Sequence, residues 1–243
     1  MVVLENRFSE EVIGGVDQAF ISGEDGQEMV VSGAVAFDSS FRPLSRSWAL
    51  LETTFPYLPG LLSFREGPAA VEAVKRLEAK PTLLFVDGCG INHPRRAGMA
   101  SAIGVALDLP TVGVTKRVLC GSFDPPRREG EASPLHHRGL VVGHVLLSKK
   151  GCRPIVVAPG HRITPESALD LARRYLRGEK LPRPCLAAHR DANDEKRRIQ
   201  MGYASIIIRV DYFSSEKMTL SRRGPPLDLQ NPPLEVDPGV VAS

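Results

Sequence analysis

The chain has 243 residues, 42% of them hydrophobic and 24% charged, and its formal net charge of +3 does not by itself indicate a nucleic-acid binder. No apolar run approaches the roughly 20 residues of a bilayer span, and the N-terminal MVVLENRFSEEV carries charges where a signal peptide needs its apolar segment, so we expect a soluble cytoplasmic protein with no membrane contact. The four cysteines form no CxxC pair, which indicates neither a zinc site nor a disulfide framework: Cys89, Cys120, Cys152 and Cys185.

The N-terminal part of the chain is predicted to form an antiparallel meander. Residues 12–20 and 29–37 have strand-like composition, and the Asp25-Gly26 step between them is a turn signal. Residues 48–55 complete the meander as its third strand.

A helix is predicted to follow, because apolar residues recur there at intervals of three and four: Ala70, Val71, Val74 and Leu77. The segment from Ser63 to Glu66 matches a capping box, which would start this helix at Ser63. Pro68 argues against that start, because beyond the first turn its ring clashes with the carbonyl four residues back. We therefore predict that the helix begins at Pro68 and that Glu66 lies in the loop before it, free to bind a ligand.

The rest of the chain alternates strands and helices, which indicates an α/β domain. Strands are predicted at residues 83–86, 111–115, 140–147 and 155–158, and helices at 98–107, 164–177 and 186–198. A long polar loop is predicted at residues 123–138. We expect one domain over residues 1–200, and an extension over 201–243 that is largely disordered because of its Gly-Pro-Pro and Asn-Pro-Pro steps, although residues 205–213 have strand-like composition.

Three carboxylates are candidates for metal binding. Asp17 lies among apolar strand residues, where burial is costly unless the carboxylate is paired or binds a cation; a strand-end Asp capping a turn is the alternative. Asp87 closes the apolar run LLFV, at the carboxyl end of a strand where α/β sheets collect their ligand sites, although a turn-forming Asp-Gly step explains it equally well. With Glu66, these acids could hold one or two Mg²⁺ ions that contact phosphate oxygens.

Two basic residues are candidates to assist them. Lys116, just past a strand, could neutralise a phosphate, and His93 could orient water or contact a phosphate. Basic residues also cluster at several points of the chain, and each cluster could contact phosphates or be ordinary surface charge: residues 93–96, 116–117, 127–128, 136–138 and 196–198.

The segment Pro56-Tyr57-Leu58-Pro59-Gly60 is predicted to be a stiff loop that presents an aromatic ring. Proline on both sides restricts the backbone, so Tyr57 is held at low entropic cost. An exposed rigid ring suits stacking on a nucleobase or wedging beside one, whereas packing in the core is the commoner use of a single aromatic residue.

Taken together, these segments resemble the endonuclease V family, whose members act on deoxyinosine in DNA. The matching segments, spread over roughly residues 10–200, are GGVDQAF, PYLPGLLSFREGP, FVDGCGINHPRRAGMASAIG, LPTVGVTKRVLCG and PIVVAPGHRITPESAL. The resemblance implies an RNase H-like mixed sheet flanked by helices.

The resemblance also implies roles for particular residues. Asp17, Glu66 and Asp87 would form the acidic Mg²⁺ site, where Mn²⁺ would substitute, with His93 and Lys116 attending the phosphate. The wedge loop would consist of Pro56, Tyr57, Leu58 and Pro59, and the pocket for the flipped hypoxanthine would be lined by Gly60, Leu62, Gly88 and Leu119. His189, in AAHRDAN, would correspond to a histidine of the family's C-terminal helix that lies near the metals.

The expected function is therefore a monomeric Mg²⁺-dependent DNA repair endonuclease. It would hydrolyse the second phosphodiester bond 3′ to deoxyinosine and leave 3′-hydroxyl and 5′-phosphate ends. The alternatives are an inosine-specific ribonuclease acting on RNA, a nuclease selective for branched or single-stranded nucleic acid, and a binding protein that keeps the fold without cleaving. A metal-free Ser or Cys hydrolase is disfavoured because the sequence has no nucleophile elbow.

Overall fold

The structure is a computed structural model, and it describes residues 1–22, 28–53, 55–202, 207–209 and 219–221. These residues form one mixed sheet with helices on both faces. The strands are β1 Val12–Ser22, β2 Glu28–Asp38, β3 Pro43–Glu52, β4 Leu83–Asp87, β5 Thr111–Thr115, β6 Ala132–His137, β7 Leu140–Leu146, β8 Ile155–His161, β9 Ile207–Arg209 and β10 Thr219–Ser221. The helices are α1 Leu62–Arg76, α2 Met99–Leu107, α3 Pro165–Leu176 and α4 Arg183–Gln200.

The strands lie in the order β10-β9-β3-β2-β1-β4-β5-β8-β7-β6. The predicted meander is confirmed, since β1 pairs antiparallel with β2 and β2 with β3, and the predicted Asp25-Gly26 turn lies outside the described residues. From β1 the sheet continues through parallel β4 and β5, and then through antiparallel β8, β7 and β6. The central strand β4 is covered on both faces, which explains its continuous apolar sequence.

The two faces of the sheet carry different helix pairs. Helices α1 and α2 pack on one face with Val16, Leu84 and Val86, whereas α3 and the start of α4 pack on the other with Phe85 and Val112. Among the residues that the structure describes, none of the helices has the length and hydropathy of a membrane span.

Helix α4 approaches the sheet unusually closely, because two glycines lie under it. A Cβ atom at Gly15 would come 2.1 Å from the carbonyl oxygen of Pro184, and one at Gly33 would come 2.5 Å from the amide nitrogen of Ala192. These distances are too short for a side chain, so both positions require glycine. The backbone of α4 therefore packs directly against β1 and β2. This contact holds the middle of α4, and with it His189, over β1.

The predicted start of α1 is wrong. The helix begins at Leu62, six residues before Pro68, so Glu66 lies in the helix, and Leu61 is an N-cap without a side-chain hydrogen bond instead of the capping box at Ser63. Pro68 inside a helix costs about 3 kcal/mol, and tertiary contacts of the first turns offset this cost. The buried Arg65 supplies several of them.

Two other differences from the prediction depend on tertiary contacts, which the local sequence pattern does not show. Strand β6 lies in the segment predicted as a polar loop; its only buried residue is Leu135, and pairing with β7 forms it. Helix α4 starts three residues before the predicted 186, because Pro184 is buried against the sheet. Strands β9 and β10 fall in the predicted extension, most of which lies outside the described residues, so its disorder stays a prediction.

Candidate active site

Three side chains from distant parts of the sequence meet at one end of the central strands. Parallel pairing of β1 with β4 sets Val16 beside Val86, so the next residues, Asp17 and Asp87, lie side by side. Helix α4 brings His189 to them, with its Nδ1 atom 2.6 Å from the Oδ2 atom of Asp17. One ligand atom from each of these three residues lies within 4.8 Å of the others, and no other such group occurs in the residues that the structure describes.

Burial and repulsion make this group costly without a cation. Asp17 is 7% exposed, and desolvation, followed by the charge of Asp87, raises its pKa to about 6, while hydrogen bonds from His189 and from the Gln18 amide (2.7 Å) act in the opposite direction. The Nζ atom of Lys116, just past β5, lies 3.3 Å from Oδ2 of Asp87. Each acid therefore has one basic partner, and the repulsion between the acids is only partly compensated.

Glu66 borders the same region from the second turn of α1. Burial raises its pKa to about 7, Arg65 opposes the shift, and the charges of Asp17 and Asp87 add to it. The charges of Asp17 and Asp87 therefore act on Glu66. Glu66 nevertheless lies outside the compact group of possible ligands, which consists of Asp17, Asp87 and His189. The predicted metal ligands are therefore brought to one end of the sheet, and His189, which was expected near the metals, lies in contact with Asp17.

The donor set fits a divalent cation. Carboxylate oxygens are the ligands that Mg²⁺ prefers, and a cation between Asp17 and Asp87 would relieve the repulsion that raises the Asp17 pKa. The imidazole nitrogen of His189 is a better ligand for Mn²⁺ than for Mg²⁺. For Mg²⁺, which prefers oxygen ligands, the nearby carboxylate of Glu66 offers a further oxygen.

A pocket of about 440 Å³ opens beside these groups. All four residues predicted to line a base pocket lie on its wall: Gly60, Leu62, Gly88 and Leu119. Four predicted catalytic residues also line it: Glu66, Asp87, His93 and Lys116. Arg117, from a predicted basic cluster, lies there too, and among the lining residues that the prediction missed are Cys89 and Met99. A Cβ atom at Gly88 would come 2.7 Å from Cβ of Met99, so this glycine lets the backbone after Asp87 pack against α2. The roles of these residues stay predictions.

His93 also faces this pocket, from the loop between β4 and α2. Its Nδ1 accepts a hydrogen bond from the Arg95 amide at 3.2 Å, so the neutral ring carries its proton on Nε2. Burial, with a smaller contribution from Arg95, lowers the His93 pKa. The ring therefore offers a neutral donor, which suits a carbonyl or phosphate oxygen.

The predicted wedge loop lies at the pocket mouth, between β3 and α1. Tyr57 is 64% exposed and borders the pocket with Pro59, and Pro56 and Leu58 are exposed in the same loop. The core-packing alternative for Tyr57 is therefore wrong, and the ring is free to contact a nucleobase.

A second, polar groove of about 410 Å³ lies along α4 and is lined by His189, Arg190, Asn193, Lys196 and Arg197. Asn193 contacts the Nε2 atom of His189 at 3.3 Å. The basic cluster at residues 196–198 pointed to this surface, whereas Arg190 and Asn193 gave no signal apart from their helical spacing.

The chain is similar to known proteins over most of its length. A sequence model of the family described as Endonuclease V matches residues 1–190. Among solved structures, an endonuclease V from Streptomyces avermitilis is 32% identical over 84% of this chain and 89% of its own, with a TM-score of 0.74. The catalytic domain of human endonuclease V is 28% identical over 84% of this chain and 92% of its own, also with a TM-score of 0.74.

A third structure, the Ciona intestinalis endonuclease V, is in complex with a 24mer DNA that contains an inosine followed by a ribo-adenosine. It is 22% identical over 82% of this chain and 92% of its own, with a TM-score of 0.69. Together, the fold of these relatives and the mixed sheet confirm the predicted RNase H-like α/β class.

Proposed function

The chain belongs to the endonuclease V family, a family of nucleases, and on that premise we propose that it is a Mg²⁺-dependent endonuclease that nicks DNA next to deoxyinosine. The observation that carries this proposal is the group of Asp17, Asp87 and His189 beside a pocket of about 440 Å³. The pocket is large enough for one nucleobase, and we expect the backbone phosphates that adjoin such a base to pass beside the group.

The side chains divide the work of recognition and hydrolysis. Tyr57 fills the gap that an extruded base leaves in the stack, which is cheapest to open where pairing is already weakened, as at a deaminated adenine. His93 donates from Nε2 to an oxygen in the pocket. Lys116 is held by Asp87 and supplies a fixed positive charge for the phosphate.

The acidic residues are proposed to bind the cation that assists hydrolysis of the phosphodiester bond. Asp17 and Asp87 would hold the divalent cation, and Glu66 and His189 would supply or orient further ligands. Such a cation would contribute the positive charge that activates water and stabilises the leaving oxygen. The family resemblance implies that the bond broken is the second phosphodiester 3′ to the lesion, with 3′-hydroxyl and 5′-phosphate products.

The groove along α4 supports a polynucleotide substrate over a free nucleoside. Arg190, Lys196 and Arg197 line it together with His189, so positive charge adjoins the acidic group (Asp17, Asp87 and His189). Phosphates on one side of the lesion would contact this groove.

The test is a labelled duplex with one deoxyinosine, incubated with the purified protein with and without Mg²⁺ or Mn²⁺. We expect one nick, whose position and end groups are read on a sequencing gel and by phosphatase treatment. Failure to nick any inosine substrate with either metal would favour a non-cleaving binding protein.

Inosine in RNA is the second candidate substrate and needs a parallel assay. The reason to test it is that the DNA bound by the Ciona intestinalis protein carries a ribonucleotide directly after the inosine. Matched DNA, RNA and single-ribonucleotide substrates, with branched and single-stranded controls, separate these preferences. The same preparation tests the expected monomer by light scattering, and location in the cytoplasm is tested by fractionation of cells.

A further inference from the structure

Two arginines bind the residues that flank the wedge loop (Pro56, Tyr57, Leu58 and Pro59). Arg65 donates from Nη1 to the carbonyl oxygen of Phe55 at 3.2 Å, and Arg95 donates from Nη1 to the carbonyl oxygen of Gly60 at 3.1 Å. The segment between these two carbonyls contains both prolines and the exposed aromatic ring. Each end of the wedge loop is therefore tied to a different part of the protein.

The end at Phe55 is tied to a buried and fixed group. Arg65 is 8% exposed, forms an ion pair with Glu28 and lies 5.0 Å from the centre of the Phe20 ring. It belongs to α1 and directly precedes Glu66. This end of the wedge loop therefore moves only if the helix beside the acidic group moves.

The end at Gly60 is tied to an exposed group on a different wall of the pocket. Gly60 has a φ of +79°, and a Cβ atom there would come 3.5 Å from Nε2 of His93 and 3.6 Å from Nη1 of Arg95. Glycine adopts a positive φ without strain. With this φ, the carbonyl oxygen of Gly60 accepts the hydrogen bond from Arg95. The wedge loop and the loop of His93 are therefore in direct contact here.

Arg95 contacts both sides of this junction. Its backbone amide donates to Nδ1 of His93, and its guanidinium donates to Gly60. One residue thus sets the ring of His93 and the end of the wedge loop relative to each other. Because the guanidinium is exposed, its bond contributes little to folding stability, and its loss should appear in recognition instead.

We propose that Arg95 is a positioning residue for lesion recognition, which holds the wedge loop against the His93 loop and so sets the width of the pocket mouth. This inference rests on the proposed function, since it concerns how an extruded base is admitted. With the tie intact, Tyr57 and His93 are placed on opposite sides of the base. Without it, the Gly60 end of the wedge loop drifts and undamaged pairs are distinguished less well from inosine.

Binding of an inosine duplex and of a matched adenine duplex, measured without divalent metal to prevent cleavage, tests the proposal. We expect R95A to lower the affinity ratio between the two duplexes about 3- to 10-fold, as the loss of one hydrogen bond predicts. In cleavage assays it should raise KM while kcat changes little. R96A is the matched control, because the side chain of Arg96 is exposed and makes no hydrogen bond to a described residue. It should weaken both duplexes alike and leave the ratio unchanged.

R95K separates position from charge. Lysine keeps the positive charge but is shorter and lacks the guanidinium fork, so we expect the affinity ratio to stay below that of the wild type. A wild-type ratio in R95A, or full recovery of the ratio in R95K, would overturn the role of Arg95 as a tie and leave it as a simple phosphate contact.

A spectroscopic measurement tests the tie without any nucleic acid. The chain has one tryptophan, Trp48, so the pair of substitutions W48F and Y57W places a single indole on the wedge loop. We expect R95A in that background to lower the fluorescence anisotropy of the indole and to raise its quenching by acrylamide. Unchanged anisotropy and quenching in R95A would contradict the proposal that Arg95 holds the wedge loop. If the wild-type protein showed no preference for inosine, the proposed function would be contradicted, but the fluorescence test of Arg95 would still be valid.

Discussion

The acidic group and the wedge loop lie on either side of one pocket, but they are built in different ways. Asp17 and Asp87 stand on neighbouring buried strands, and α4 is seated over them through Gly15 and Gly33. The wedge loop is exposed and is held at its ends by arginine–carbonyl hydrogen bonds. The candidate metal ligands thus lie on buried strands and on a closely packed helix, whereas the predicted recognition residue Tyr57 lies on an exposed loop. Mutations should therefore separate hydrolysis from recognition.

Removing one acid should have the largest effect. D87N keeps the shape of the side chain but removes the charge that a cation requires, so we expect nicking to fall on the order of 10³-fold or more while affinity for the inosine duplex persists. Single-turnover cleavage and gel-shift assays measure the two quantities. D170N, an exposed change on α3, is the control, and wild-type turnover in D87N would remove Asp87 from the reaction.

The seating of α4 can be tested without touching a charged residue. A Cβ atom in G33A would meet the backbone of Ala192 at 2.5 Å, so the helix must shift, and we expect a loss of about 1–3 kcal/mol in the free energy of unfolding together with weaker metal binding. Denaturant unfolding and metal titration measure these changes. G67A is the matched control, because its Cβ atom would meet nothing closer than 3.9 Å; equal stability of the two variants would contradict the close contact.

Changing the wedge loop should affect recognition alone. Y57A removes an exposed ring, and because stacking on one base contributes about 1–3 kcal/mol, we expect the preference for the inosine duplex to fall roughly tenfold. Metal affinity should stay at the wild-type value, since Tyr57 lies outside the acidic group. The measurement is competition binding with inosine and adenine duplexes, and an unchanged preference would rule out the wedge role.

The smallest expected effect is a pH dependence of stabilisation by metal. The pKa values of Asp17 and Glu66 are raised to about 6 and about 7, so both carboxyls of the metal-free protein hold protons more firmly than in the unfolded chain. The native stability that these protons provide is present below about pH 4 and is lost as the pH rises through the raised pKa values, up to about 7. A cation recovers that cost only where the acids are charged.

We therefore expect Mg²⁺ to raise Tm by a few degrees at pH 8 and by less at pH 5.5. Thermal unfolding with Mg²⁺ or with a chelator at each pH measures the difference. D87N should abolish most of the metal-dependent shift at pH 8. An equal shift at both pH values would mean that these acids are not the groups that the cation binds.

Much of the fold could be predicted locally. Strand β5 was predicted with its observed ends, and α3 starts after the predicted Thr164, which caps it through its side chain. Strand β1 was predicted with its buried Asp17. In each case the apolar spacing and the capping residue lie within a few positions of the element that they define.

The failures share a cause. The start of α1 depends on Arg65 reaching Glu28 and the Phe20 ring, which are more than thirty residues away, and β6 depends on pairing with β7. Pro68 and the polar residues of β6 carry the opposite local signal, and tertiary contacts override it. His189 was predicted to lie near the metals only through the family resemblance, because a lone histidine on a helix has no spacing that points to an aspartate 172 residues earlier.

By itself, the sequence determined which side chains are available: three acids, a lysine, two histidines and a proline-framed tyrosine, in segments whose order resembles one nuclease family. Only the tertiary structure decided that Asp17, Asp87 and His189 form the compact group, that Glu66 borders it from a helix, and that Arg95 joins two walls of the pocket. The physical reason is that strand register and the seating of α4 on glycine set those distances, and both are properties of residues far apart along the chain.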